Sequence, residues 1–147
     1  MRVSSRAIIF KDNKVLFMYR ERNNEKYYAF PGGKIEDGET KEDCIKRECK
    51  EELGITISVE KHVYEVKGDG FIQHFYLCKW IDGKLGSGDE VEYSANRKGG
   101  IQKPCFIEIA KLNDLNVISP FIVNQLLEDI EKYGLNLDFK VKQIIEK

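Results

Sequence analysis

The chain has 147 residues, of which 33% are charged and 41% hydrophobic, and its formal net charge is -1. This length suits one domain with a core of ordinary size, so we expect a single domain over residues 1–147. The composition is typical of a soluble globular protein, and the balanced charge excludes a chain that is basic throughout, as a general nucleic-acid-binding protein would be.

The cysteines and the N-terminus indicate the compartment. Cys44, Cys49, Cys78 and Cys105 include no Cys-x-x-Cys pair, so we expect reduced thiols rather than a zinc site or a disulfide framework. Residues 1–6 carry no signal-like apolar run, and no stretch reaches the length of a membrane span. We therefore expect a cytoplasmic protein without membrane contact.

The first part of the chain alternates β-rich runs with turns. Residues 3–10 and 15–20 are separated by a segment with an Asp-Asn pair, which favours a tight turn, so they predict a hairpin. Polar residues 21–26 predict a loop. Residues 28–30 then predict a short strand that leads into a pair of glycines.

A helix is predicted after this glycine loop. Thr40 can cap its N-terminus, and Gly54 can supply the left-handed residue that ends it. Because each helical residue advances by about 100°, Glu48, Glu51 and Glu52 fall on one arc. Three carboxylates on one stripe repel each other, and a hard cation that prefers oxygen ligands, such as Mg²⁺ or Mn²⁺, would turn this repulsion into binding.

Strands and one long connection follow the helix. Residues 55–59 and 63–66 alternate with the period of a strand, and residues 71–81 predict the second arm of a hairpin. Residues 82–100 carry five glycines and only scattered apolar side chains. They predict a long mobile loop that orders over a ligand and selects the substrate.

The C-terminal part contains a second helix. Residues 104–109 predict a strand, residues 110–115 a short helical turn, and Pro120 the start of a helix with apolar residues at helical spacing. The tail, residues 135–147, suits either a strand or a helix, and the sequence leaves this choice open.

The glycine loop and the first helix form one pattern. Residues 33–55 read G-x(5)-E-x(7)-R-E-C-K-E-E-L-G-I. This segment resembles the signature box of the Nudix hydrolases, with Cys49 at a position where a bulkier aliphatic residue is more usual. A solvated acidic helix face would explain two adjacent glutamates, but it gives no reason for the glycines, the arginine and the carboxylates to share this spacing. The resemblance implies the Nudix fold, an α/β/α sandwich with a mixed sheet and the box helix packed on it.

The resemblance also implies a metal site and its support. The box carboxylates and one loop carbonyl are expected to hold Mg²⁺ or Mn²⁺: Glu48, Glu51, Glu52 and Gly32. Arg47 and Glu39 are expected to form an internal ion pair that fixes the register of the helix. Their role would be to support the metal ligands rather than to cleave a bond.

The general base and the residues that contact the substrate have candidates both inside and outside the box. Glu48 is expected to hold or deprotonate the attacking water, and Glu92 in the long loop, or secondly Glu90, is an alternative base. Three residues at the strand end and the glycine loop are expected to meet phosphates: Arg20, Lys34 and Gly33.

The reaction implied by the resemblance is hydrolysis of a nucleoside diphosphate linked to another moiety, by attack of water on phosphorus. Because the chain lacks a basic stripe, we expect a small nucleotide substrate and no stable nucleic-acid binding. A hydrolase of RNA 5′ ends is the alternative. A non-catalytic nucleotide-binding regulator is a more distant one, since such proteins normally lack box carboxylates. A homodimer is compatible with all three interpretations.

Overall fold

The computed structural model describes residues 1–86, 100–117 and 120–146. Its strands are β1 (Arg2–Lys11), β2 (Lys14–Arg22), β3 (Glu25–Ala29), β4 (Gly32–Lys34), β5 (Ile55–Gly68), β6 (Phe71–Gly83), β7 (Ile101–Glu108) and β8 (Lys142–Ile145). Its helices are α1 (Lys41–Leu53), α2 (Pro120–Tyr133) and a 3₁₀ helix (Ile109–Asp114).

The strands form one mixed sheet. Its order is β3-β2-β1-β6-β5-β8, with β4 paired to β1 and β7 paired to β2. The pairs β1–β6 and β5–β8 are parallel, and the remaining pairs are antiparallel. Strand β4 lies beside the beginning of β1, where Ser5 faces Gly33 and Arg6 faces Gly32. This pairing places the glycine loop next to the centre of the sheet.

Two apolar cores lie on opposite faces of the sheet. One contains side chains of α1 and of alternate residues of β1: Ile45, Cys49, Leu53, Ala7 and Ile9. The other contains side chains of α2, of β5 and of the intervening residue of β1: Ile122, Val123, Leu126, Tyr64 and Ile8. Because consecutive residues of a strand point to opposite faces, β1 contributes to both cores. The α/β/α layering expected from the sequence is therefore confirmed.

Two hairpins build the β1–β3 region. Strands β1 and β2 meet at Asp12 and Asn13, as predicted. The loop predicted over residues 21–26 was wrong, because β2 continues to Arg22 and β3 begins at Glu25. The connecting residues Asn23 and Asn24 both have positive φ, 53° and 66°. Asparagine tolerates this conformation, so the polar stretch closes a two-residue hairpin.

Strands β5 and β6 are longer than predicted. The two runs at 55–59 and 63–66 belong to a single strand, whose register against β6 shifts at irregularities such as that between His62 and Tyr64. At these irregularities the alternation of apolar and polar residues is interrupted although the strand continues, which is why the sequence pattern showed two separate runs. Strand β6 extends to Gly83. Most of the predicted long loop, residues 87–99, lies outside the described residues.

The C-terminal part closes one edge of the sheet. Helix α2 begins at Pro120 as predicted, and within the tail whose structure the sequence left open, Lys142–Ile145 form β8, parallel to β5. Asp129 of α2 is buried and accepts hydrogen bonds from Tyr64 Oη over 2.5 Å and from Lys142 Nζ over 2.5 Å. A charged group thus joins α2, β5 and β8 beneath the surface.

The four cysteines form no disulfide in the described structure: Cys44, Cys49, Cys78 and Cys105 are all free. Within the described parts of the chain, no helix is long and apolar enough to cross a membrane.

Candidate active site

Helix α1 is held at both ends by its own sequence. Thr40 Oγ1 accepts a hydrogen bond from the Asp43 backbone N–H over 3.0 Å, and Gly54 ends the helix with φ of 77°. Ile45, Cys49 and Leu53 are fully buried against the sheet. Cys49, at the position where a larger aliphatic residue is more usual, therefore packs in the core. With this face fixed, the carboxylate stripe lies along the adjoining flank of the helix.

The carboxylates of the stripe differ in exposure. The side chain of Glu51 is 33% exposed and that of Glu48 is 13% exposed. Glu52 is only 3% exposed, and its Oε2 atom is buried without a hydrogen-bond partner in the described structure. Burial raises the pKa of the Glu52 carboxyl well above its ordinary value, and contact with the Glu48 carboxyl adds to the shift.

This arrangement fits a divalent cation. A buried carboxylate oxygen without a donor is costly, and a hard cation would satisfy it. The donor set around it consists of carboxylate and backbone oxygens, which Mg²⁺ and Mn²⁺ prefer. Within the residues described, no three His, Cys, Asp or Glu side chains converge as a ready coordination shell. Two of the three box carboxylates, those of Glu48 and Glu51, are instead hydrogen-bonded to Arg47.

Arg47 is the centre of an ion-pair network. Its Nε and Nη2 atoms donate to Glu39 Oε2 and Oε1 over 2.7 and 3.1 Å. Its Nη1 atom donates to Glu48 Oε1 over 3.0 Å and to Glu51 Oε2 over 3.2 Å. Nη2 also donates to the Lys34 carbonyl over 3.2 Å. The pairing of Arg47 with Glu39 is thus present, and the same guanidinium ties the loop after β4 to the carboxylates.

The Arg47–Glu39 pair should make stability depend on pH. The Arg47 guanidinium holds the pKa of Glu39 below its ordinary value of 4.5. A carboxyl with a lowered pKa in the folded state adds stability that is present above its unfolded pKa and is lost as the pH falls through the folded pKa. Replacing Glu39 by glutamine should therefore lower the free energy of unfolding at pH 7, and the difference from the wild type should shrink below about pH 4.5. Urea unfolding at several pH values measures this, with exposed Glu128→Gln as the control. A difference that does not change with pH would contradict the prediction.

The two glycines of β4 lie against different neighbours. A Cβ atom on Gly33 would lie 2.6 Å from Glu48 Oε1, so only glycine leaves room for that carboxylate. Gly32 has φ of 142°, and a Cβ there would lie 2.0 Å from the carbonyl oxygen of Ser5. The Gly32 carbonyl, which was expected to join the metal shell, accepts a hydrogen bond from Arg6 Nη1 over 3.0 Å.

Arg6 is a site residue that the sequence reasoning missed. Its Nη1 atom also donates to the Phe30 carbonyl over 3.1 Å, so it bridges both sides of the glycine loop. The available signal was an arginine directly before the apolar residues 7–10, inside the strand predicted over residues 3–10. Its proximity to the box follows from the pairing of β1 with β4, which the sequence pattern did not predict.

The three residues expected to contact phosphates differ in their exposure and in their neighbours. Arg20 is partly buried, its Nε atom has no hydrogen-bond partner in the described structure, and its charge acts on Glu52. Lys34 is exposed, while Gly33 is buried beside Glu48. The structure therefore brings Arg20 and Gly33 to the carboxylates and leaves the Lys34 side chain at the surface.

The two alternative bases belong to the long connection after β6. Glu90 and Glu92 lie outside the described residues. Among the described residues, Glu48 is the carboxylate that lies between the glycine loop and Arg47.

Known proteins resemble this chain in sequence and in fold. The model of the NUDIX domain matches residues 1–114. The chain is 37% identical over 94 residues to the ADP-ribose pyrophosphatase of Methanocaldococcus jannaschii. This match covers 58% of this chain and 55% of the relative. It is 31% identical over 108 residues to the NAD-capped RNA hydrolase of Vibrio atlanticus. This second match covers 74% of this chain and 35% of the relative. The chain thus spans about half or less of the length of these curated relatives.

A solved structure extends the likeness to the whole fold. The NUDIX hydrolase from Nitrosomonas europaea matches with a TM-score of 0.73 at 15% identity, covering 99% of this chain and 78% of that one. At this identity the match shows a shared fold. Because the NUDIX domain model covers residues 1–114 and a solved Nudix hydrolase shares the fold, the chain belongs to the Nudix hydrolase family.

Proposed function

We propose that this chain is a pyrophosphohydrolase that depends on Mg²⁺ or Mn²⁺ and cleaves the phosphoanhydride of a small nucleotide. The substrate class is a nucleoside diphosphate linked to another moiety, which includes nucleoside triphosphates. The observation that carries the proposal is the buried Glu52 carboxylate, whose Oε2 atom has no hydrogen-bond partner in the described structure. The named relatives support it, since ADP-ribose and an NAD cap both contain a pyrophosphate.

The cation would be held by oxygen ligands alone. The proposed ligands are the box carboxylates and one carbonyl: Glu48, Glu51, Glu52 and Gly32. Bound there, a divalent cation would polarise phosphoryl oxygens and lower the pKa of a water molecule. For Glu48 and Glu51 to serve, Arg47 Nη1 has to exchange its hydrogen bonds to them, while its Nε bond to Glu39 keeps the side chain in place.

The chain's own residues would divide the remaining work. Glu48 would accept the proton of the attacking water, with Glu92 as the alternative base outside the described residues. Arg20 would place a guanidinium beside the phosphates, and Lys34 would supply a second cation from the surface. Gly33 would let a phosphate oxygen approach the backbone.

A second candidate is hydrolysis at an RNA 5′ end. The match to the NAD-capped RNA hydrolase over 74% of this chain favours it. The formal net charge of -1 favours a small nucleotide instead, because RNA binding usually draws on a basic surface. We further propose that residues 1–147 form one domain, and a homodimer is compatible with this assignment.

A substrate panel tests the proposal. Purified protein is incubated with ADP-ribose, NAD⁺, nucleoside triphosphates and NAD-capped RNA, each with Mg²⁺, Mn²⁺ or excess chelator, and mononucleotide, phosphate and pyrophosphate are quantified. We expect hydrolysis of at least one small nucleotide with either cation, no hydrolysis with chelator, and slower turnover of RNA.

Bound cation should also raise the melting temperature, since a hundredfold excess of cation over its dissociation constant adds about 2.7 kcal/mol to the free energy of unfolding. Full activity in chelator would exclude the metal-dependent mechanism. A preference for capped RNA would favour the second candidate.

A further inference from the structure

Arg6 places a cation beside the proposed metal site from outside the signature box. It belongs to β1, and its Nη1 atom donates to the carbonyls of Phe30 and Gly32 over 3.1 and 3.0 Å. The Gly32 carbonyl is the backbone oxygen proposed as a metal ligand. One cationic side chain therefore already binds an oxygen that a divalent cation would use.

The charge of Arg6 also acts on the carboxylates. Burial is the largest influence on Arg6 and lowers the pKa of its guanidinium, while the negative charge of Glu52 is the largest influence in the opposite direction. The negative charge of Glu48 also raises the pKa of Arg6, by a smaller amount, and the positive charges of Arg20 and Arg2 lower it. Arg20 and, to a smaller extent, Arg6 oppose the rise in the pKa of the Glu52 carboxyl, so the charge of Arg6 acts directly on this proposed ligand.

The glycine loop does not depend on Arg6 alone for its position. The Ala7 N–H donates to the Pro31 carbonyl over 2.8 Å, and the Ile35 N–H donates to the Val3 carbonyl over 3.0 Å. The pairing of β1 with β4 holds the segment between them. Removing the Arg6 side chain should therefore leave the loop backbone in place and change mainly the charge at the site.

We propose that Arg6 is a positioning residue that acts as an internal counter-cation: it holds the Gly32 carbonyl and weakens the binding of a divalent cation to the free protein. This inference rests on the proposed function, because it takes Glu52 and Gly32 as metal ligands. A cation that binds there has to share or displace the Arg6 hydrogen bond and is repelled by the guanidinium. An anionic substrate would relieve that repulsion, so the cation would bind more tightly together with the substrate than alone.

The test measures binding of Mn²⁺ alone to the chelator-treated full chain, from the electron paramagnetic resonance signal of unbound Mn²⁺. The Arg6→Met variant removes the charge and keeps a long side chain. We expect it to bind Mn²⁺ on the order of tenfold more tightly, because a unit positive charge within several ångströms repels a divalent cation even at high effective dielectric constant. Arg6→Lys keeps the charge and should remain near the wild type. Arg22→Met removes an exposed charge from β2 and should stay within about twofold.

Two further variants distinguish an error in the role of Arg6 from an error in the proposed metal site. Arg6→Gln removes the charge but can still donate to the two carbonyls, so it should also bind more tightly and covers the case in which Arg6→Met does not fold. Glu52→Gln should abolish most Mn²⁺ binding. If it does so while both neutral Arg6 variants bind Mn²⁺ no more tightly than the wild type, the inference is wrong and the metal site stands. If Glu52→Gln binds Mn²⁺ like the wild type, the proposed metal site is wrong and the role of Arg6 fails with it.

Discussion

Replacing Glu52 by glutamine is expected to lower turnover by about two to three orders of magnitude. Glutamine preserves the volume of the buried side chain but offers one neutral carbonyl oxygen in place of a carboxylate, so it is a poor ligand for Mg²⁺ or Mn²⁺. The fold should persist, because Glu52 Oε2 makes no hydrogen bond that the substitution would break in the described structure. Turnover of the best substrate at saturating cation, together with the melting temperature of the metal-free protein, measures both effects.

The control for this experiment is Glu131→Gln, which neutralises an exposed carboxylate on α2. Its turnover and its melting temperature should remain near those of the wild type. Cation should raise the melting temperature of the wild type and of the control, but not that of Glu52→Gln. Turnover of Glu52→Gln within about threefold of the wild type would remove Glu52 from the proposed metal site.

Alanine substitutions of the two adjacent glycines should have different effects, one on folding and the other on activity. Gly32→Ala has to place a Cβ atom at φ of 142°, 2.0 Å from the Ser5 carbonyl oxygen and 2.8 Å from the Arg6 Cα atom, and both of these atoms are backbone. We expect it to lower the free energy of unfolding by about 3 kcal/mol or more, or to prevent folding. In Gly33→Ala the three atoms nearest to the Cβ atom all belong to the Glu48 carboxylate, with Oε1 at 2.6 Å, and this flexible side chain can move away. The protein should fold, and its turnover should fall about tenfold to a hundredfold because Glu48 is displaced.

Urea unfolding and turnover at saturating cation distinguish the two effects. Gly134→Ala is the matched control for backbone strain, because Gly134 has φ of 74° and no atom within 4 Å of the position of a Cβ. Strain alone should cost about 1–2 kcal/mol there and leave turnover unchanged. Equal loss of stability at positions 32 and 33, or unchanged turnover in Gly33→Ala, would show that Gly33 does not keep space for the Glu48 carboxylate.

Local signals in the sequence were sufficient for the helix of the site and for most of the strands. The cap at Thr40, the stop at Gly54 and the spacing of the buried Ile45, Cys49 and Leu53 fix the position and rotation of α1. These features act within a few residues of one another, so they can be recognised without knowledge of the fold.

Features that depend on distant parts of the chain could not be predicted in this way. Arg6 donates to the Gly32 carbonyl because β1 pairs with β4, and the residues around Arg6 in the sequence carry no sign of that neighbour. The tail became a strand because β5 offers an edge, whereas its own alternation fits a helix equally well. The segment at Asn23 and Asn24 was taken for a loop because polarity alone does not distinguish a loop from a tight turn.

The pairing of β8 with β5 also bears on how the sheet is completed during synthesis. Strand β8 comes last in the described chain, and it pairs with residues 64–67 of a strand that is made much earlier. Until β8 emerges from the ribosome, this edge of β5 has unpaired backbone groups that another nascent chain could bind. Glu65 is partly buried and Lys67 is exposed even with β8 in place, so pairing at this edge is favourable only where both charged side chains keep contact with solvent. Their charge therefore disfavours a partner that would bury them, whereas β8 leaves them partly exposed.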